Sequence, residues 1–224
     1  MINPAMISAL CAVFFVLHVG QHALAASSES LLGHRHPIIS SGDRIALRMS
    51  YTNGSNLKYY MHCTTSYCYR NNCPGDTVIK SDKWSKCKSM TYIIRAIGKS
   101  DSQPINSGDM VTISSGYYGN KYHLRCSKST SYKCRFSSIN EKKFEGNHWF
   151  ENTIAIFQIF SRNAIDNTPV QYGDIVGLRY PYYYADRWLY HSGGHWYARK
   201  CSNTDKKTCA KTDSPTGFQI FKPR

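Results

Sequence analysis

The stretch Ser41-Gly42-Asp43-Arg44-Ile45-Ala46-Leu47 decides the fold because the chain writes it three times. It returns as Ser107-Gly108-Asp109-Met110-Val111-Thr112-Ile113 and again as Tyr172-Gly173-Asp174-Ile175-Val176-Gly177-Leu178. The three aspartates stand 66 and 65 residues apart. In each copy a Gly-Asp turn precedes apolar residues two and four places after the aspartate. That alternation is the period of a half-buried β-strand.

Two more landmarks recur in the same order. Tyr59-Tyr60-Met61-His62-Cys63, Tyr122-His123-Leu124-Arg125-Cys126 and Trp188-Leu189-Tyr190-His191-Ser192 follow the openings. This spacing aligns Trp188 with Tyr59 and Tyr122 and places it in the core. Tyr92-Ile93-Ile94, Phe157-Gln158-Ile159 and Phe218-Gln219-Ile220 close the units, with Trp84 and Trp149 eight residues before the first two. Three ordered landmarks at a fixed period mark internal repetition. Units this long, without helical periodicity, do not suit a helical solenoid, and a propeller needs at least four blades.

The Gly-Asp-x-Val-x-Leu opening, the aromatic second strand and the closing Phe-x-Ile resemble the β-trefoil superfamily. The run Trp188-Leu189-Tyr190-His191-Ser192 is similar to the MIR-type repeat of secretory-pathway trefoils. The resemblance implies an all-β, single-domain β-trefoil over residues 38–224, with repeats at about 38–104, 105–169 and 170–224. It does not imply one function, because trefoils host binding modules, growth factors, inhibitors and bundlers alike. The ricin-type Gln-x-Trp is replaced by Gln158-Ile159-Phe160 and Gln219-Ile220-Phe221.

Before the repeats, the apolar stretch Ala5 to Val19 and Ala23-Leu24-Ala25 read as a secretory signal peptide over residues 1–25. Cleavage after Ala25 leaves 199 residues, with residues 26–37 as a flexible lead-in, and no membrane insertion is expected afterwards. Cys11 leaves with the signal. The remaining Cys63, Cys68, Cys73, Cys87, Cys126, Cys134, Cys201 and Cys209 are even in number, as expected for disulfides in a secreted chain. Zinc is disfavoured, since no Cys-x2-Cys pair occurs. Eight cysteines allow 105 pairings. The loops 126–134 and 201–209 are best closed by Cys126–Cys134 and Cys201–Cys209. Asn53-Gly54-Ser55 is a glycosylation sequon, with Asn53 as acceptor.

Lys+Arg number 28 against Asp+Glu 14, a formal net charge of +14. That exceeds the roughly 2–8 that solubility needs. The excess lies in loops: Lys83, Lys86, Lys88; Lys128, Lys133, Arg135; Arg199, Lys200, Lys206, Lys207, Lys211. Threefold symmetry would gather these loops and sum their fields, attracting polyanions. Extracellular glycans or acidic polymers are the expected partners, and nucleic acid is not. Tyr180, Tyr182, Tyr183, Tyr184, Trp188, Tyr190, Trp196 and Tyr197 crowd the third unit. Rings left on the surface stack on sugars. Trp196 and Tyr197 are the leading ligand-binding candidates, with Tyr190, His191, Arg199, Lys200, Lys206 and Lys207 beside them.

Catalytic signatures are thin. No Gly-x-Ser-x-Gly, His-Glu-x-x-His, P-loop or dinucleotide fingerprint occurs. His191 and His195 have a helical metal spacing, but Gly193-Gly194 argues against a helix. His62, His123 and His191 fall at similar places in the three units, which would suit a basic secreted ribonuclease or toxin. A structural matrix component, rich in Tyr and Lys, is the other alternative. The preferred reading is a binding protein without catalysis, cofactor or metal. One test follows from the cysteines: mass spectrometry of the unreduced secreted protein finds no free thiol. Stoichiometric zinc would contradict the disulfide reading.

Overall fold

In the computed structural model the described residues are 36–49, 59–72, 87, 90–127, 131–139, 155–162, 166–181, 187–200 and 217–223. The segments assigned to the signal peptide, the Asn53 sequon, Cys73, Cys201, Cys209, Lys206 and Lys207 lie outside them. Pro37–Arg224 forms one compact unit.

The repeated openings make the same turn. Gly42, Gly108 and Gly173 adopt φ of 87°, 100° and 91°, a region that a Cβ would disfavour. Each glycine N–H donates to the closing-strand isoleucine of its own repeat: Ile94 at 2.8 Å, Ile159 at 2.7 Å and Ile220 at 2.8 Å. Those isoleucines return their N–H to the carbonyls of Asp43, Asp109 and Asp174 at 3.1, 3.0 and 3.0 Å. Each aspartate Oδ2 accepts an amide three residues upstream, from Ser40, Asn106 and Gln171 at 2.9, 2.7 and 3.0 Å. The Gly-Asp opening and the aromatic-x-Ile closing are therefore one hydrogen-bonded unit, which is why the two motifs travel together.

Twelve strands follow among the described residues. The first repeat supplies β1 Arg44–Met49, β2 Tyr59–Cys63, β3 Cys68–Asn72 and β4 Tyr92–Ala96. The second supplies β5 Met110–Ser115, β6 Gly119–Cys126, β7 Cys134–Ser138 and β8 Ile156–Ser161. The third supplies β9 Ile175–Arg179, β10 Arg187–Ser192, β11 His195–Lys200 and β12 Phe218–Phe221. Antiparallel pairing runs β1–β4–β5–β8–β9–β12 and back to β1, so six strands close a barrel with no free edge. The hairpins β2–β3, β6–β7 and β10–β11 join it through β1, β5 and β9. This is a β-trefoil, as the resemblance implied.

The alternation in the openings fills the barrel. Ile45, Leu47, Val111, Ile113, Val176 and Leu178 are all buried, as are the closing rings Tyr92, Phe157 and Phe218. Where the three lead-in segments meet, Ile39 N–H donates to Val170 O at 2.9 Å. Val170 N–H donates to Ile105 O at 2.8 Å, and Ile105 N–H to Ile39 O at 2.9 Å. The three bonds form a cycle, and all three side chains are buried.

Pairing corrects the alignment of the second strands. Tyr60, His123 and Trp188 each pair with the residue five places after the repeat's aspartate, Arg48, Ser114 and Arg179. Trp188 therefore replaces Tyr60 and His123, not Tyr59 and Tyr122, although it is buried as expected. The same register equates His62 with Arg125 and Tyr190, and equates Cys63 with Cys126 and His191. The three histidines of the ribonuclease reading thus occupy three different positions of the repeat.

Cys63–Cys68 and Cys126–Cys134 are disulfides, each joining a register pair at the hairpin end. Cys87 is also disulfide-bonded. In the third hairpin that place is taken by His191 opposite Trp196.

A Cβ at Gly108 would meet nothing within 4 Å, so Gly108→Ala isolates the backbone requirement. It should cost about 1–2 kcal/mol. In a thermal melt this reads as a Tm lower by several degrees. An unchanged Tm would show that the turn does not need glycine.

Candidate functional site

The three hairpins meet head to tail. Phe136 N–H donates to Thr64 O at 2.9 Å, Ala198 N–H to Tyr132 O at 2.9 Å, and Arg70 N–H to Gly194 O at 3.1 Å. The second strand of each hairpin thus bonds to the turn of the one before it. The junctions differ in what the turn brings. The disulfide-closed turns span sequence separations of 5 in the first hairpin and 8 in the second. The longer second turn carries Ser131 and Tyr132 onto β11, and Lys133 pairs with Tyr197 there.

In the third hairpin, Gly193 and Gly194 have φ of 55° and 86°, a two-residue turn that favours the twist of a tight hairpin. It sets Ser192 opposite His195, His191 opposite Trp196 and Tyr190 opposite Tyr197. Because side chains alternate faces, Tyr190 and Tyr197 share the outer face while His191 and Trp196 turn inward. Trp196 is 0 % exposed, with Phe218 at 4.7 Å and His191 at 5.1 Å between ring centroids. Trp196 and His191 are therefore core residues, not ligand contacts. The crowding of rings pointed to this hairpin, and the parity imposed by its turn places two of its members inside. Tyr190 and Tyr197 are half-buried, and Arg199 and Lys200 are exposed.

A cleft of about 340 Å³ opens beside this outer face. Tyr190, Tyr197 and Arg199 line one part of it, and Ser131, Tyr132 and Arg187 another. The Arg187 guanidinium lies over the Tyr132 ring with Cζ 3.7 Å from its centroid, and Nη1 donates to Ala198 O at 3.1 Å. Arg199 Cζ sits 5.1 Å from the centroid of Tyr190. Among the described residues lining the cleft there is no carboxylate. Ser131 and Tyr132 hold left-handed backbone, φ 53° and 62°, which non-glycine residues rarely adopt. Arg187 and Tyr132 were not singled out from the sequence. The length and basicity of the loop 126–134 were the signal that pointed towards Tyr132.

A second aromatic strip crosses from the first hairpin. Tyr69 stacks 4.6 Å from His62 and 5.4 Å from Tyr67, whose ring is 5.4 Å from His195. His195 is on the outer face and His191 on the inner, so the pair with metal-like spacing does not converge. Among the described residues no group of three or more His, Cys, Asp or Glu gathers as metal ligands do.

No family model matches the chain, and no curated protein matches it. Solved structures do. An arabinofuranosidase in complex with arabinofuranosyl-alpha-1,2-xylobiose aligns at TM-score 0.53 and 14 % identity, over 84 % of this chain and 32 % of that one. The binding domain of botulinum neurotoxin serotype D aligns at TM-score 0.52 and 13 % identity, over 90 % and 48 %. A Caenorhabditis elegans protein of unknown function aligns at TM-score 0.50 and 9 % identity, over 86 % and 100 %. The chain spans about a third of the arabinofuranosidase and about half of the toxin domain. At these identities the likeness shows the fold, a β-trefoil, and nothing finer.

Burial sets the histidine chemistry. His191 is lowered from 6.5 to about 4, first by burial and then by the charges of Arg70 and His195. His123 is lowered to about 4 by burial and then by Arg95. Burial also lowers His62. Unfolded histidines take a proton near pH 6.5, and the folded ones resist it until about 4. The stability they contribute is therefore full above pH 6.5 and is lost as pH falls towards about 4. Tm measured down this interval should drop, and His191→Phe should flatten the drop. A wild-type Tm constant across the interval would contradict the burial of neutral histidines.

Proposed function

We propose that this chain is a secreted, non-catalytic protein that binds glycans or other acidic extracellular polymers. The observation that carries this reading is the cleft between the second and third hairpins. It offers tyrosine faces and two guanidinium groups, with no acid among its described lining. Tyrosine rings pack on the apolar faces of sugars while their hydroxyls remain free to hydrogen-bond. Guanidinium forks pair with carboxylate or sulfate groups. Secretion is supported by the apolar N-terminal stretch and by the bonded Cys63, Cys68, Cys87, Cys126 and Cys134.

Other cations flank the cleft, and Arg135, Arg199 and Lys200 stand on strands β7 and β11 and not in the loops where the sequence had put them. Lys133, Arg199 and Lys200 lie at or next to the cleft, and Lys206 and Lys207 follow in sequence. Binding of a polyanion by such groups releases condensed counterions, so affinity falls steeply with salt. The protein should be retained on heparin and elute at high salt. The double variant Lys206→Gln, Lys207→Gln should elute earlier with an unchanged Tm. Elution of the double variant at the wild-type salt concentration would show that these two charges serve solubility alone.

A further inference from the structure

Resting on that reading, we propose that the cleft is a single pocket for one acidic sugar ring, whose carboxylate or sulfate is held by Arg199 while its ring lies on Tyr190 and Tyr197. The cleft's 340 Å³ is at the small end of ligand pockets and matches one or two sugar units.

The two arginines have different roles. Arg187 is already committed, stacked on Tyr132 and bonded to Ala198 O. It positions the loop and raises the local positive potential. Arg199 is exposed, with its guanidinium above Tyr190, and it has the freedom to meet an anion. A cation held over one face of a tyrosine keeps its in-plane N–H groups directed outward. Ring stacking and anion pairing are thus offered side by side, on strands whose register holds Tyr190 opposite Tyr197.

The three junctions differ in the residues that line them. The outer pair Tyr190 and Tyr197 becomes His62 and Tyr69 in the first hairpin and Arg125 and Arg135 in the second. Arg199 becomes Asn71 and Ser137, and Arg187 becomes Tyr59 and Tyr122. The first junction of the ring is further filled by the contact of Tyr67 with His195. The ring-plus-guanidinium set occurs at the third hairpin, where the longer preceding turn reaches over it. That turn spends two left-handed non-glycine residues, Ser131 and Tyr132, to do so. Backbone outliers of this kind concentrate where a site is held in advance of its ligand.

Calorimetric titration of the whole mature protein tests the assignment with five probes. These are methyl glucuronide, N-acetylglucosamine 6-sulfate, their neutral parents methyl glucoside and N-acetylglucosamine, and inorganic sulfate. At least one acidic sugar should bind with a stoichiometry of one, at least about tenfold more tightly than its neutral parent, because a charge-assisted pair is lost. It should also exceed inorganic sulfate, which lacks the ring. Arg199→Gln should reduce that binding about tenfold with unchanged Tm and without affecting the neutral sugars. Tyr190→Ala should weaken acidic and neutral sugars together. Equal binding of acidic and neutral sugars, or of the sulfated sugar and sulfate, would overturn the proposal. Retention on heparin without binding of any single sugar would overturn it while leaving polymer binding intact. Failure of both heparin and sugars to bind would remove the wider reading as well.

Discussion

Three backbone hydrogen bonds, running from Ile39 to Val170, from Val170 to Ile105 and from Ile105 back to Ile39, tie one residue of each repeat into a closed cycle. No two repeats can satisfy these buried groups by themselves, and an unpaired buried amide is costly. The cycle therefore couples the three units just ahead of their opening strands. The barrel strands carry the coupling outward. Each Gly-Asp turn is bonded to the closing strand of its own repeat, and each closing strand pairs with the opening strand of the next. The hairpins repeat the logic at the other level, with each second strand donating to the preceding turn.

Such a frame is indifferent to what its hairpins carry, which is how one repeat can specialise. Two hairpins are closed by Cys63–Cys68 and Cys126–Cys134, and the third by the packed pair His191 and Trp196. The exchange retains an inward-facing pair at the same register position and leaves the outer face free to vary. On that face the third hairpin has two tyrosines and Arg199, and the longer turn of the second hairpin overhangs them. The symmetric bonds supply rigidity; the junction of the second and third hairpins supplies the cleft.

Much of the frame was legible in the sequence because its parts are local. A Gly-Asp turn needs a residue tolerant of positive φ, and the alternation after it needs only neighbours two apart. Ile45, Leu47, Val111, Ile113, Val176 and Leu178 were all placed correctly on that basis. The site was legible only to the level of the hairpin. Trp196 and Tyr197 are adjacent, and which of them faces solvent depends on the register set by Gly193-Gly194. A shift of one residue exchanges every side chain between faces. The same one-residue ambiguity misaligned Trp188 with Tyr59. Arg187 and Tyr132 were missed because they meet only through the threefold closure, 55 residues apart in sequence.

A symmetric, mutually locked frame carries an unsymmetric cleft between its second and third hairpins. Residue-resolved amide exchange, with and without a saturating acidic sugar, tests it most directly. Ile39, Ile105 and Val170 should exchange at one common, globally limited rate. Added protection by the sugar should centre on Ala198 and its neighbours, beyond any uniform rise, with Arg70 and Phe136 showing no such gain. Unequal rates within the cycle, or equal local gains at Arg70, Phe136 and Ala198, would contradict it.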